Sequence, residues 1–178
     1  MTRARQLRRQ RDEEDRARRQ AVEDARDLAL DLCLARRLGA RPYELGVVLG
    51  PGEVAWAEMA TWFQYAPPGA PLPAPAEVRP PASLWLATSQ RIVGRLEDDR
   101  LHGWRWEHVV GCQVDLEPPC LSLSLEVCTA LGQEKLRWSG PRVAPVAVAA
   151  VYALYGMEAL VEHPGLASVR DGAPIALK

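Results

Sequence analysis

His102 and His108 flank Trp104, Trp106 and Glu107, with Asp98 and Asp99 a few residues upstream. An imidazole beside a carboxylate can move a proton to or from a substrate, so this stretch has residue types suited to acid–base work. The remaining requirements of an active site are missing from the pattern. The third histidine, His163, stands far away in the chain, and no nucleophile is spaced to share a base with any of them. Histidines at strand ends are ordinarily polar surface groups, and that is the reading adopted here. Gly50-Pro51-Gly52 has neither the length nor the lysine of a phosphate-binding loop. Cys33, Cys112, Cys120 and Cys128 include no CxxC pair and no Cys/His cluster, so no zinc site is predicted and the thiols are expected to be buried and free. The chain is therefore expected not to be an enzyme, and no metal or cofactor is expected.

A second chemistry is available to the arginines at the N-terminus. Residues 1–40 carry 11 of the 22 basic side chains and 8 of the 23 acidic ones, which leaves the remainder acidic although the whole chain has a net charge of only -1. Arg8, Arg9, Arg11, Arg16, Arg18 and Arg19 could meet nucleic-acid phosphates or an anionic membrane face. Against both, they alternate with Asp12, Glu13, Glu14 and Asp15 at i, i+4 spacings, and no aromatic residue precedes Tyr43 for base stacking. A solvated helix is the simpler reading. From Val22 the pattern changes: Val22, Ala25, Leu28, Ala29, Leu32, Cys33, Ala35 and Leu38 form a helical stripe that ends at Gly39. It must bury against the domain itself or against a second copy, which would make a homo-oligomer through residues 22–38. The expected organisation is a charged helical arm, residues 1–40, and one domain, residues 41–178. No apolar stretch follows the first arginines, so neither a secretory signal nor a signal anchor is read and a cytoplasmic location is expected.

The domain must hold the His–Trp neighbourhood on short strands. A 48% hydrophobic content supplies apolar mass for one core. Seven strands are predicted, at Glu53–Tyr65, Ser83–Thr88, Arg91–Glu97, Leu101–Trp106, Val109–Leu116, Cys120–Val127 and Gln133–Ser139, bounded by Gly, Pro and Asp turns. The alternation in Leu121-Ser-Leu-Ser-Leu-Glu-Val127 is the clearest; the alanines of the first segment leave a helix open there. Residues 66–82 hold seven prolines, so a stiff surface loop is expected, although Pro68 and Pro71 also stand at the spacing of an SH3-type ligand. After Ser139-Gly140-Pro141 one long helix is predicted, roughly Arg142 to Leu160. Its Val143–Met157 stretch is uncharged and shorter than a bilayer span, so it should be buried in the core. The six tryptophans should mostly fill the core; Trp104 with Trp106, and Trp56 with Trp62, share a strand face, and either pair marks a recognition surface if it is exposed.

With Gly52-Glu53, Thr88 and Arg91 within Leu84–Val93, and Trp104-Arg-Trp-Glu-His-Val109, residues 47–162 resemble the bacterial pleckstrin-homology-like (PH-like) group. The resemblance implies an α+β, mainly β fold: a seven-stranded antiparallel barrel or sandwich capped by a C-terminal helix, here preceded by an N-terminal helix. It also implies a binding or docking module without catalysis. Members that bind phosphoinositides place Lys and Arg on the first strand, its loop and the next strand. Here Glu53–Tyr65 has two acids and no base, and the following loop has only Arg79. A protein partner is therefore expected, with a nucleic-acid-associated role through the arm as the alternative and a peripheral membrane contact as a third outcome. The candidate binding residues are Arg91, Arg95, Arg105, Trp104, Trp106 and His102. Thr88 and Arg91 are also expected to bond the turn backbone and fix a strand end.

Overall fold

A computed structural model describes residues 3–34, 43–73, 82–96, 100–118 and 121–171. Cys120, Ala35, Leu38, Gly39 and most of the second half of the Pro-rich loop lie outside that set. Helix α1 (Arg3–Cys33) is followed by seven strands: β1 (Ala55–Ala66), β2 (Ser83–Thr88), β3 (Arg91–Arg95), β4 (Leu101–Arg105), β5 (Val109–Asp115), β6 (Ser122–Thr129) and β7 (Gly132–Ser139). Helices α2 (Ala144–Tyr155), α3 (Met157–Glu162) and α4 (Ala167–Arg170) follow among the described residues. The seven antiparallel strands and the terminal helix occur in the order expected of a PH-like fold.

Every strand pairing is antiparallel, in the order β4-β3-β2-β1-β7-β6-β5. β1 joins two sheets: Ala55–Thr61 pairs with β2, and Trp62–Ala66 pairs with β7. The segment that composition left open between strand and helix is thus a strand, because both its edges find partners. β4 and β5 are the two outermost strands, joined by a single 3-10 turn at Trp106–His108 that brings the sheet ends round to each other. The interior is aromatic. Phe63 lies 4.5 Å from Trp85 and 5.3 Å from Trp138 between ring centroids, and Trp85 and Trp138 are fully buried. Gly94 is the register partner of Trp85, and a Cβ at Gly94 would fall 2.2 Å from the indole carbons. Only glycine lets the ring lie flat on the neighbouring strand. Gly94→Ala should lower unfolding free energy by about 3 kcal/mol in a urea titration, since Trp85 has no space to retreat into; an unchanged midpoint would contradict this packing.

Helix α2 is buried on nearly every side: Val146, Ala147, Val148, Ala149, Ala150 and Val151 are all at 0% exposure. A helix apolar all round needs cover all round. The strands provide one side, with Trp56 of β1 packed edge-on to Tyr152 at 5.4 Å. The second half of α1 provides another, through Ala21, Ala25, Leu28, Ala29 and Leu32, which recur on one helical face and are buried in the same core. Arg26 then ties α1 to α4, its Nε donating to the Val169 carbonyl at 2.6 Å and its Nη2 to that of Ser168 at 3.2 Å.

Three expectations are corrected here. The described part of the 22–38 stripe is covered by its own chain, so it does not offer a face for a homo-oligomer, and α1 from Ala21 onward is part of the core rather than a tether. The predicted single helix to Leu160 is two helices, because Gly156 adopts φ 80°, ends α2 and redirects α3. The plug is therefore Ala144–Tyr155. Among the thiols, Cys33 and Cys112 are half-buried and Cys128 is exposed; burial pushes the Cys112 thiol up to about 12. No described helix is long and apolar enough to cross a membrane.

Candidate functional site

A cleft of about 700 Å³ opens at the far end of β1 from Trp56. Phe63 and Tyr65 of β1, Leu96 after β3, His102, Gly103 and Trp104 of β4, and His108 supply one part of its lining. Cys128, Thr129 and Ala130 at the β6–β7 turn, with Glu134 of β7, supply the rest. The cleft therefore sits where the edge strand β4 faces the β6–β7 hairpin, the gap left by a sheet that curls round without a ladder between its outer strands.

Glu134 is the unusual group in this lining. It is 7% exposed, and its hydrogen-bonding neighbours are neutral: Trp104 Nε1 at 3.3 Å from Oε2, the Thr129 hydroxyl at 3.1 Å from Oε1, and the Tyr65 hydroxyl. Burial, then the charge of Glu134 and the hydrogen bond to it, push the Tyr65 phenol upward, so it stays protonated and able to donate. Among the described residues no lysine or arginine lines the cleft. The sequence carries a signal for Glu134: Glu134, Leu136 and Trp138 alternate along β7, which puts the acid on the core-facing side.

The predicted site residues do not gather in one place. Trp104 and His102 line the cleft, Trp104 half-buried and 6.0 Å from both Phe63 and Trp85. Trp106 leaves the expected recognition surface: it is 6% exposed and its Nε1 donates to the Thr88 carbonyl at 2.8 Å. Arg105 is exposed beside Glu107 at 3.3 Å, a solvated pair of little energetic weight. Arg95, at the end of β3, is engaged in its own contacts. Arg91 is held by Glu53, whose side chain is 2% exposed. On the arm, Arg8, Arg9, Arg11, Arg16 and Arg19 are exposed and Arg18 is half-buried, with Arg9 bonded to Glu13 at 3.0 Å.

The Glu53–Arg91 contact belongs to a buried latch beside the cleft wall. Gly50–Glu53 is a turn with Pro51 and Gly52 at its centre, Gly52 at φ 71°, closed by Glu53 N–H donating to the Gly50 carbonyl at 3.1 Å. The Glu53 carboxylate then accepts from Gly50 N–H at 2.7 Å, the Thr88 hydroxyl at 2.7 Å, Arg91 Nε at 2.8 Å and Arg91 Nη2 at 3.1 Å. Thr88 Oγ1 accepts in turn from the N–H groups of Gln90 and Arg91, which fixes the β2–β3 turn. Burial alone would raise the Glu53 carboxyl, but the bonds from Arg91, Gly50 and Thr88 outweigh it and the net displacement is downward.

Chemically the cleft offers aromatic surface, two imidazoles and a carboxylate. No group of three or more His, Cys, Asp or Glu among the described residues could hold a metal. No protein-family model and no curated protein matches the chain. Among solved structures it is similar to the Vps36 N-terminal PH domain, with 13% identity and a TM-score of 0.39, over 71% of this chain and 91% of that one.

Proposed function

We propose that the protein is a non-enzymatic, cytosolic docking module that receives a protein partner at the cleft between β4 and the β6–β7 hairpin. The observation that carries this reading is the lining: aromatic walls around a buried carboxylate, with no lysine or arginine among the described residues. A phosphoinositide or nucleic-acid backbone needs cationic contacts at its phosphates, and a buried carboxylate repels them. Tyr65 of the lining is 45% exposed, and Leu101 and Leu131, the chain neighbours of the lining residues His102 and Ala130, are 47% and 81% exposed, apolar surface of the kind a protein partner covers. The exposed arginines on residues 5–19 of α1 carry no comparable argument, since acids share the same surface.

A photo-cross-linking amino acid at Ala130, on the cleft rim, tests this in cells of the source organism. The expected result is a discrete product larger than the chain by the mass of a different protein, absent when the same group is placed at exposed Glu162. A product of twice the chain mass would identify a second copy as the occupant. Retention on DNA or on anionic vesicles that survives deletion of residues 1–16, with no cross-link at Ala130, would overturn the docking reading.

A further inference from the structure

The docking reading leaves open what the partner presents, and Glu134 narrows it. A buried carboxylate needs partners, and those of Glu134 are all neutral: Trp104 Nε1, the Tyr65 hydroxyl, and the Thr129 hydroxyl, whose single proton is shared with the Gly132 carbonyl. The residues around it are suited to a cation. Phe63 and Trp104 both line the cleft, with ring centroids 6.0 Å apart, and Tyr65 lines it with them. Aromatic surface and a desolvated carboxylate each attract a cation, and a guanidinium can stack on the first while donating to the second. We propose that the cleft accepts a cationic side chain, an arginine or lysine of the partner protein, with Glu134 as its counter-ion and Trp104 and Phe63 as its walls.

This rests on the docking reading above, and it explains features that the reading alone does not require. Trp104 Nε1 and the Thr129 hydroxyl hold the two carboxylate oxygens at defined positions, 3.3 and 3.1 Å away, so the acceptor is oriented before any ligand arrives. Thr129 is itself placed by the tight β6–β7 turn, where its hydroxyl also lies 3.1 Å from the Gly132 carbonyl. An acid that only needed solvent could have stood on the outer face of β7 with Lys135 and Arg137, one residue to either side of the core parity.

The test is an NMR titration of the full-length ¹⁵N-labelled protein, reading the indole N–H of Trp104. The probes are Nα-acetyl-arginine methylamide, its neutral counterpart Nα-acetyl-norleucine methylamide, and inorganic phosphate. The arginine amide should shift the Trp104 signal saturably and bind about tenfold more tightly than the norleucine amide. Glu134→Gln, which keeps the shape and removes the charge, should abolish that difference. Equal affinity for the two amides, no shift with arginine, or a shift with phosphate would overturn the proposal. The comparison of probes on the native protein stands even if Glu134→Gln is poorly folded. Cross-linking from Ala130 separates the two readings: a protein still trapped by Glu134→Gln keeps the docking module and refutes the cationic anchor. Arginine binding with no protein ever trapped refutes the docking module.

Discussion

Deleting residues 1–33 is expected to unfold the domain, whereas deleting residues 1–16 is expected to leave its thermal midpoint within a few degrees. The first deletion removes Ala21, Ala25, Leu28, Ala29 and Leu32 from the core and exposes a flank of α2, a helix with no polar side on which to meet water. Truncating the one fully buried leucine of that set, Leu28→Ala, should by itself cost about 3 kcal/mol. Loss of the whole face exceeds the 5–15 kcal/mol that a domain of this kind has in hand. The second deletion removes exposed side chains and pairs such as Arg9–Glu13, each contributing a few tenths of a kcal/mol. Circular dichroism melts and dye binding to exposed apolar surface distinguish the two truncations. A cooperative transition of normal midpoint in the 1–33 deletion would show that α1 does not belong to the core. The same contrast bears on function, because any loss of binding after removing all of α1 reports unfolding, and only the shorter truncation isolates the arginine-rich surface.

What the sequence made legible follows from what its patterns encode. Alternation is local, so all seven strands are anticipated to within a few residues, and Ser83–Thr88 matches at both ends. The covering of α2 is not local. An all-apolar helix states that it is buried without stating by what, and the amphipathic stripe of α1 states that it packs without naming its target; the two requirements satisfy each other only once both are folded. The glycine at 156 was visible, but whether it breaks a helix depends on its φ, which composition does not fix. The candidate site was half legible. His102 and Trp104 were noticed for their residue types, and Trp106 with them, yet the turn after β4 commits Trp106 to a backbone carbonyl inside the core. Glu134, Tyr65 and Thr129 were missed because they come from β1 and the β6–β7 hairpin, far from the His–Trp stretch in sequence, and the curl of the sheet brings them together. The three motif fragments behind the family resemblance meet as well: Glu53, Thr88 with Arg91, and Trp106 form one hydrogen-bonded latch.

That latch gives the second large effect. Glu53→Ala should destabilise the domain by about 3 kcal/mol, because it removes the carboxylate that pairs with the half-buried Arg91 guanidinium, leaves Arg91 only the Val48 carbonyl and Thr88 only the Arg91 carbonyl, and frees the Gly50 turn. Arg91→Met should be nearly as damaging, since it leaves the Glu53 carboxylate, 2% exposed, without a cation. If the two act as one unit, the double variant Glu53→Ala/Arg91→Met is less destabilised than the sum of the singles, with a coupling of about 2 kcal/mol in urea unfolding; strict additivity would remove the latch from the account. The pH dependence has a definite sign. The folded Glu53 carboxyl lies below its ordinary value of 4.5, so the folded state holds fewer protons than the unfolded chain around that pH. Its contribution is full above about pH 4.5 and is lost as pH falls through the lower folded value, so the native protein should lose stability on acidification more steeply than Glu53→Gln. The consequence reaches the cleft. Arg91 begins β3 and its register partner on β4 is Arg105, so the latch fixes the hairpin whose inner face carries Trp104 and His102. Loosening it should broaden the Trp104 indole signal before the domain unfolds, and a Trp104 signal that stays sharp in Glu53→Gln would mean that the cleft wall is held by the aromatic core alone.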